Sequence, residues 1–188
     1  MLKIKNLSFR YNKYQNWILN DFSLDTKKGD IIAVTGASGR GKTTILNILS
    51  GVIPKVFKGE FKGKILFNNS DISELSLPQT APHISLLMQE PENQLFFPYV
   101  EQELAFAPEN LKLPTCEIKK RIERTLSILD IEHLRFEDTS SLSFGQKKLV
   151  AFASILTLSP DVFLLDEPAA GLSNSYINRI TEIISYLS

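Results

Sequence analysis

The segment that most constrains the fold is residues 36–43, which read Gly-Ala-Ser-Gly-Arg-Gly-Lys-Thr. The positions of Gly36, Gly41, Lys42 and Thr43 match the spacing of a phosphate-binding loop. Glycines let successive backbone N–H groups turn inward around a phosphate, and a helix that follows adds the positive end of its dipole. Lys42 is then placed to reach the β- and γ-phosphates of a nucleotide, and the Thr43 hydroxyl to coordinate Mg²⁺.

The residues on either side of this loop fit that interpretation. Residues 30–35 form a short apolar run of the kind that lies buried in a parallel sheet, and residues 42–49 have a helical pattern. A glycine-rich turn with no ligand is the alternative for the loop alone. The strand–loop–helix order makes that alternative the weaker one.

Beyond the loop, the hydrophobic pattern predicts strands and helices in mixed order. Apolar runs predict an opening antiparallel hairpin or meander and later strands at residues 61–67, 84–88 and 162–165. Helical spacing is found at residues 116–130 and 174–187. A chain of 188 residues, 43% of them hydrophobic, can bury one core, so we expect one domain over residues 1–188 with a helical subdomain at roughly residues 91–141. The predicted fold class is α/β, a mixed sheet core with an N-terminal antiparallel β part.

A second group of candidate site residues follows the apolar run at residues 162–165, where the chain reads Asp166-Glu167-Pro168. The carboxyl ends of strands are where α/β sheets place their ligands. Asp166 is suited to hold Mg²⁺, often through water, and Glu167 to orient or polarise an attacking water. Alone, this tripeptide would be read as a strand-to-loop cap, but a phosphate-binding loop in the same chain favours the catalytic interpretation.

A third motif, Leu-Ser-Phe-Gly-Gln-Lys-Lys at residues 142–148, precedes an apolar helix predicted over residues 149–158. Together with the two motifs above, it resembles the signature sequence of ATP-binding cassette (ABC) proteins. Ser143 and the backbone around Gly145 can donate hydrogen bonds to an anion at a helix N-terminus, and a plain helix N-cap is the alternative for Ser143. The resemblance implies a phosphate-loop NTPase of the ABC type that forms a head-to-tail dimer with a second ABC ATPase domain. In that family the signature faces the γ-phosphate held by the partner.

Two further residues fall in the family's order. Tyr11 stands where ABC proteins place an aromatic ring that stacks on adenine, and Gln89 matches the Q-loop glutamine that contacts Mg²⁺ and the attacking water. An exposed strand aromatic and an ordinary glutamine after a strand are the alternatives. Carried over residue by residue, the resemblance implies that ATP is bound by Tyr11, Gly36, Ser38, Gly39, Gly41, Lys42, Thr43, Thr44, Ser143, Gly145 and Gln146. It implies Mg²⁺ ligation by Thr43, Gln89 and Asp166, and catalytic roles for Glu167 and Gln89.

Residues 89–111 narrow the resemblance, because they look like the Q-loop and following helix of the energy-coupling-factor and cobalt-type importers. In that group this region docks the coupling helices of a transmembrane partner. Leu95, Phe96 and Phe97 could form the apolar patch that such docking needs, or they could simply pack a helical subdomain. The resemblance thus implies a peripheral ATPase subunit on the cytoplasmic face of the cell membrane that energises import of a vitamin, metal ion or similar small solute.

The chain departs from the family pattern at three places. Phe144 stands where the family has glycine, and Ser173 where it has an aspartate that makes a contact between subunits. Past the catalytic glutamate the family carries a histidine that touches the γ-phosphate, whereas His83 and His133 both precede Glu167. We therefore expect a fragment, one piece of a split gene or a degenerate subunit, which binds ATP and hydrolyses it slowly or not at all.

Composition bears on the other function classes. The 21 basic and 21 acidic residues cancel and are scattered, so the basic stripe of a nucleic-acid-binding protein is missing and no nucleic-acid partner is expected. Cys116 is the only cysteine, which excludes an internal disulfide and a zinc site built on several cysteines. Two alternatives stay open, a non-transport ABC ATPase that acts on ribosomes or DNA, and a regulatory nucleotide-binding subunit with little turnover.

Overall fold

The computed structural model describes residues 2–187, in which residues 2–86 and residues 87–187 form two units. The first unit opens with an antiparallel sheet of four strands in the order β2-β1-β3-β4. These strands are β1 (Leu2–Arg10), β2 (Leu19–Asp25), β3 (Glu60–Phe67) and β4 (Ser70–Asp71). Ile4 pairs with Leu24 on one side and with Ile65 on the other, so β1 is one of the two inner strands. The predicted antiparallel opening is confirmed.

Three helices belong to the first unit, and α1 (Lys42–Leu49) positions the glycine-rich loop. Ile45, Ile48 and Leu49 are buried on one face of α1, at the i, i+3 and i+4 spacing of an amphipathic helix. The other two helices are short, α2 (Val52–Lys55) and α3 (Leu77–Thr80), and a 3₁₀ turn covers Ile72–Glu74. The predicted helix at residues 42–49 therefore has the bounds that the structure shows.

The strand predicted at residues 30–35 is not formed, and that prediction was wrong. Ile31, Ile32 and Val34 are 63%, 44% and 45% exposed, and no strand pairs with this segment in the described residues. A strand that is apolar on both faces is buried only when strands flank it and helices cover both faces. The apolar run gives these residues strand propensity. In the described residues, however, no neighbouring strand pairs with the segment and buries it.

The second unit is mainly helical, with α4 (Val100–Asn110), α5 (Thr115–Leu129), α6 (Phe144–Leu156) and α7 (Asn174–Leu187). Its core is built from apolar residues of all four helices, with α6 at its centre because Val150, Ala151, Phe152 and Ala153 are fully buried. Short 3₁₀ turns cover Pro91–Asn93, Glu132–Leu134 and Thr139–Ser141. The helices α4 and α5 lie within residues 91–141, and the helical subdomain predicted there stays a prediction.

Two short strands complete the framework, β5 (Ile84–Leu87) and β6 (Val162–Leu165), and they lie side by side. Leu87, the last residue of β5, accepts a hydrogen bond of 3.0 Å from the backbone N–H of Asp166, directly after β6. The two strands thus end at the same place, as parallel-sheet ligand sites require. None of the helices within residues 2–187 has the length and apolar character needed to cross a membrane.

Candidate functional site

The glycine-rich loop of the first unit has a backbone that only glycine adopts without strain at two positions. Gly39 and Gly41 have φ of +75° and +88°, in the left-handed region. A Cβ on Gly41 would also stand 2.7 Å from the Cγ2 atom of Ile18, which is closer than van der Waals contact. The carbonyl of Gly41 accepts the first helical hydrogen bond from Ile45, so the loop leads directly into α1 and its N-terminal N–H groups.

The Lys42 side chain folds back over the start of this loop. Its ammonium donates hydrogen bonds of 3.0 Å and 3.2 Å to the carbonyls of Gly36 and Ala37. Residues 36–40 are exposed, and Thr43 is exposed in the first turn of α1. The charge and the free N–H groups at the start of α1 therefore face solvent in one place, where a phosphate group can be bound.

Tyr11 is brought to the same end of α1. Its hydroxyl and that of Thr44 are 3.4 Å apart, and its ring meets the Phe9 ring edge-on with centroids 4.9 Å apart. The tyrosine is 42% exposed, so part of its surface is open to solvent. An aromatic surface beside a phosphate-binding loop is the arrangement that a nucleotide needs, with its base on the ring and its phosphates on the loop.

In the second unit, the ends of β5 and β6 bring Gln89 and Glu167 together. The Gln89 side-chain amide donates a hydrogen bond of 3.0 Å to a carboxylate oxygen of Glu167, although 78 residues separate them in the chain. Asp166 beside it is buried, with a relative exposure of 6%. Glu167 itself is exposed, and its backbone has φ of +47°, a left-handed conformation that side chains other than glycine seldom adopt. Such strain is concentrated at functional sites.

The residues proposed for Mg²⁺ have suitable donor chemistry. Thr43, Gln89 and Asp166 supply hydroxyl, amide and carboxylate oxygens, which are the donors that Mg²⁺ prefers. Within residues 2–187, no three His, Cys, Asp or Glu side chains are grouped so that they could hold a metal by themselves.

Ser143 and Gln146 form a capping box at the start of α6. The Ser143 hydroxyl accepts from the Gln146 backbone N–H at 3.3 Å, and the Gln146 side-chain oxygen accepts from the Ser143 N–H at 2.9 Å. The helix therefore begins at Phe144 and not at residue 149 as predicted. The N-cap alternative for Ser143 describes this geometry, and contacts of Ser143, Gly145 and Gln146 with nucleotide remain a proposal.

Phe144, which replaces the family's glycine, is accommodated by a glycine elsewhere in the second unit. Gly171 has φ of +73°, and a Cβ on it would stand 2.9 Å from the Cε1 atom of Phe144. Gly145 is similarly close to Tyr176, whose Cε2 atom would be 3.0 Å from an added Cβ. Close packing at this motif is thus retained, because each ring lies against a residue without a side chain.

Lys148 is a residue that the sequence interpretation missed. Its side chain is fully buried in α6, and its ammonium donates hydrogen bonds of 2.8 Å and 3.2 Å to the carbonyls of Glu167 and Ala170. Burial lowers the pKa of Lys148, whereas the carboxylates of Glu90, Glu167 and Asp166 act in the opposite direction. Nothing in the sequence separates it from its neighbour Lys147, so only the structure identifies it.

Three aromatic residues within residues 96–106 of the second unit are exposed, and we call them the aromatic patch: Phe96, Tyr99 and Phe106, which are 75%, 49% and 42% exposed. The buried carboxylate of Glu103 accepts the backbone N–H groups of Phe96 and Phe97 at 2.8 Å and 2.9 Å, which fixes the turn that presents Phe96. Of the three residues suggested for docking, Phe96 is open to solvent, Leu95 is half-buried against the core, and Phe97 is half-buried with its ring centroid 5.0 Å from that of Phe106. Docking by this surface stays a proposal.

Comparison with known proteins identifies relatives of this chain. A family model described as "ABC transporter" matches residues 19–170. The energy-coupling factor transporter ATP-binding protein EcfA2 of Clostridium perfringens (strain SM101) is 36% identical over 186 residues, which is 98% of this chain and 63% of that protein. A putative ABC transporter ATP-binding protein of Treponema denticola is 35% identical over 98% of this chain and 38% of that protein. The chain thus spans 38% to 63% of the length of these relatives.

Solved structures show the same fold. The structure of cbiO1 from Clostridium perfringens, described as part of the ABC transporter complex cbiONQ, is 36% identical with a TM-score of 0.84 and covers 99% of this chain and 72% of that one. The ATP-binding cassette MJ0796, solved as a dimer bound to ADP and Pi, is 23% identical with a TM-score of 0.82 over 98% of this chain and 81% of that one, which bears on the fold alone. The predicted α/β fold class is therefore confirmed.

Proposed function

The chain belongs to the ABC transporter family of ATP-binding proteins, and we propose that it binds Mg-ATP and hydrolyses it to energise a membrane importer. The observation that carries the hydrolytic part is the hydrogen bond between Gln89 and Glu167 at the ends of two neighbouring strands. A carboxylate held by an amide, rather than by a cation, stays free to accept a hydrogen bond from water. That is the property required of a group that orients the attacking water.

The roles of the other residues follow from their chemistry. The loop at residues 36–43 and the ammonium of Lys42 bind the phosphates, and Tyr11 stacks on the adenine ring. Mg²⁺, when bound, neutralises charge on the β- and γ-phosphates. Glu167 orients a water for in-line attack on the γ-phosphorus, and Gln89 keeps the carboxylate pointed toward that water. Hydrolysis in this scheme depends on positioning and electrostatics rather than on a covalent intermediate.

Tyr11→Ala is expected to weaken ATP binding by about 5- to 150-fold, because stacking of one base on an aromatic ring contributes ~1–3 kcal/mol. Tyr11→Phe keeps the ring and loses only the hydroxyl near Thr44, so its affinity should stay close to that of the unmodified chain. Titration calorimetry with Mg-ATP measures both. Inorganic tripolyphosphate, which has no base, should bind all three proteins alike, and a loss of tripolyphosphate affinity in Tyr11→Ala would contradict the stacking role.

The proposal extends to partners. Two of the similar proteins are described as an energy-coupling factor transporter subunit and as part of the transporter complex cbiONQ. On that basis we assign this chain to the cytoplasmic face of the membrane, paired head-to-tail with a second ABC ATPase domain. The exposed patch of Phe96, Tyr99 and Phe106 is the surface proposed to dock a transmembrane subunit, because exposed aromatics are characteristic anchors of protein interfaces. The transmembrane subunit would select the solute, a vitamin, metal ion or similar small molecule.

Co-purification from detergent-solubilised membranes tests the importer assignment. A polytopic membrane protein should be recovered with the unmodified chain and lost by at least about tenfold with Phe96→Ser, since aromatic anchors contribute most of an interface's binding energy. Tyr186→Ser is the matched control, because Tyr186 is 69% exposed and lies on α7, outside residues 96–106. Recovery of ribosomal or DNA-repair proteins would favour the non-transport alternative. Equal recovery with both variants would contradict the docking role of the patch.

A further inference from the structure

Lys148 is a charged residue in the most buried helix of the second unit, and the proposed mechanism does not use it. Its relative exposure is 0%, and it is followed in α6 by Leu149 and Val150, which are 3% and 0% exposed. Burying an ammonium is costly, and a methionine or leucine of similar volume would fill the same space without that cost. The charge therefore calls for an explanation other than packing.

The ammonium is directed at the turn that follows Glu167. It donates to the carbonyl of Glu167 at 2.8 Å and to that of Ala170 at 3.2 Å. The turn has hydrogen bonds of its own, from Ala170 N–H to the Glu167 carbonyl at 3.1 Å and from Leu172 N–H to the Ala169 carbonyl at 3.3 Å. The carbonyl of Glu167 thus accepts two donors, and the charged one forms the stronger bond.

The conformation held in this way is one that glutamate adopts at a cost. Glu167 has φ of +47°, and a left-handed residue with a side chain persists only where its surroundings enforce it. Relaxation of this residue to an ordinary conformation would turn its carbonyl away from Lys148 and its side chain away from Gln89. The two hydrogen bonds, one on the backbone and one on the carboxylate, together fix where the Glu167 carboxylate points.

We propose that Lys148 is a positioning residue for ATP hydrolysis, whose ammonium holds the backbone of Glu167 in its left-handed conformation and so aims the carboxylate at the attacking water. The inference rests on the proposed function. Lys148 acts through Glu167 and contacts no residue proposed to bind the base or the phosphates. Its effect should therefore fall on the rate of hydrolysis and not on the affinity for ATP.

Lys148→Met tests this, because methionine keeps an unbranched apolar stem and removes the ammonium. The single-turnover rate at saturating Mg-ATP is expected to fall by about 10- to 100-fold, since misplacing a reacting group by roughly 1 Å costs up to that much. The dissociation constant for Mg-ATP should change by less than about twofold, because only transition-state interactions are lost. Lys148→Arg, which keeps a charged donor, should hydrolyse at least about threefold faster than Lys148→Met.

Lys147→Met is the matched control on the same helix. The ammonium of Lys147 pairs with Glu92 at 2.8 Å and has no contact with the Glu167 turn, so this variant should hydrolyse ATP within about twofold of the unmodified chain. Circular dichroism melting establishes that each variant is folded. If Lys148→Met does not fold, Lys148→Gln replaces it, with the same expected loss of rate and unchanged affinity.

The outcomes separate this inference from the function on which it rests. An unmodified chain that releases no phosphate would overturn the proposed function and the inference with it. Hydrolysis by the unmodified chain together with an equal rate in folded Lys148→Met would overturn the inference alone. A parallel loss of rate and ATP affinity in Lys148→Met, with no recovery in Lys148→Arg, would also overturn it, because that pattern indicates a structural role only.

Discussion

Lys42→Ala is expected to abolish Mg-ATP binding, raising the dissociation constant by at least about 100-fold, because each charged hydrogen bond to phosphate contributes ~1.5–3 kcal/mol. The Lys42 ammonium lies over the loop on the carbonyls of Gly36 and Ala37, and a bound phosphate would draw it from those acceptors. Its side chain is not part of the buried core, so the fold should survive the change.

Titration calorimetry in the presence of Mg²⁺ measures this effect, with Lys64→Ala as the control. Lys64 is an exposed lysine on β3, in the same unit, and its removal changes the net charge equally without touching the loop. Lys64→Ala should bind Mg-ATP as the unmodified chain does. Equal nucleotide affinity in Lys42→Ala and the unmodified chain would contradict the assignment of residues 36–43 as a phosphate-binding loop.

Glu167→Gln is expected to reduce the hydrolysis rate by about 10²- to 10⁴-fold, the range typical of losing a general base, and to leave Mg-ATP binding intact. Glutamine has nearly the same shape and can still accept the hydrogen bond from Gln89, so the local structure should be retained. What is lost is the negative charge that orients and polarises water. ATP should then persist in the site, and ATP-dependent dimerisation should become stronger than in the unmodified chain.

Single-turnover hydrolysis and size-exclusion chromatography with and without ATP measure these two effects. Glu92→Gln is the control, because Glu92 is an exposed carboxylate whose partner is Lys147. It should leave both the rate and the dimerisation within about twofold of the unmodified chain. If Glu167→Gln hydrolysed ATP at an undiminished rate, Glu167 would have no catalytic role.

The sequence predicted well the helices and strands whose ends are determined by residues next to them in the chain. The helix at residues 42–49 was predicted with the bounds that the structure shows. Gly41 marks the end of the glycine-rich loop, and apolar residues at helical spacing follow it directly. The strand at residues 162–165 was also predicted with its observed bounds, since a short apolar run is closed by Asp166 and Pro168. The same local patterns identified the candidate phosphate-binding loop and the candidate carboxylates Asp166 and Glu167.

Features that depend on distant neighbours could not be predicted in this way. The run at residues 30–35 has strand propensity but forms no strand, because pairing partners decide whether such a run is buried. The start of α6 was placed too late, although Ser143 and Gln146 have the spacing of a capping box. The packing of Phe144 on Gly171 and the contact of Lys148 with the Glu167 turn join residues far apart in the chain. Only the folded structure shows them.

The central claim is that this chain hydrolyses Mg-ATP at a site that depends on Glu167, and single-turnover hydrolysis of γ-labelled ATP with the protein in excess tests it most directly. We predict a slow release of labelled phosphate that requires Mg²⁺, is absent in Lys42→Ala and is at least about 100-fold slower in Glu167→Gln. Phosphate release no faster than in buffer, or an equal rate in the unmodified chain and Glu167→Gln, would contradict the claim.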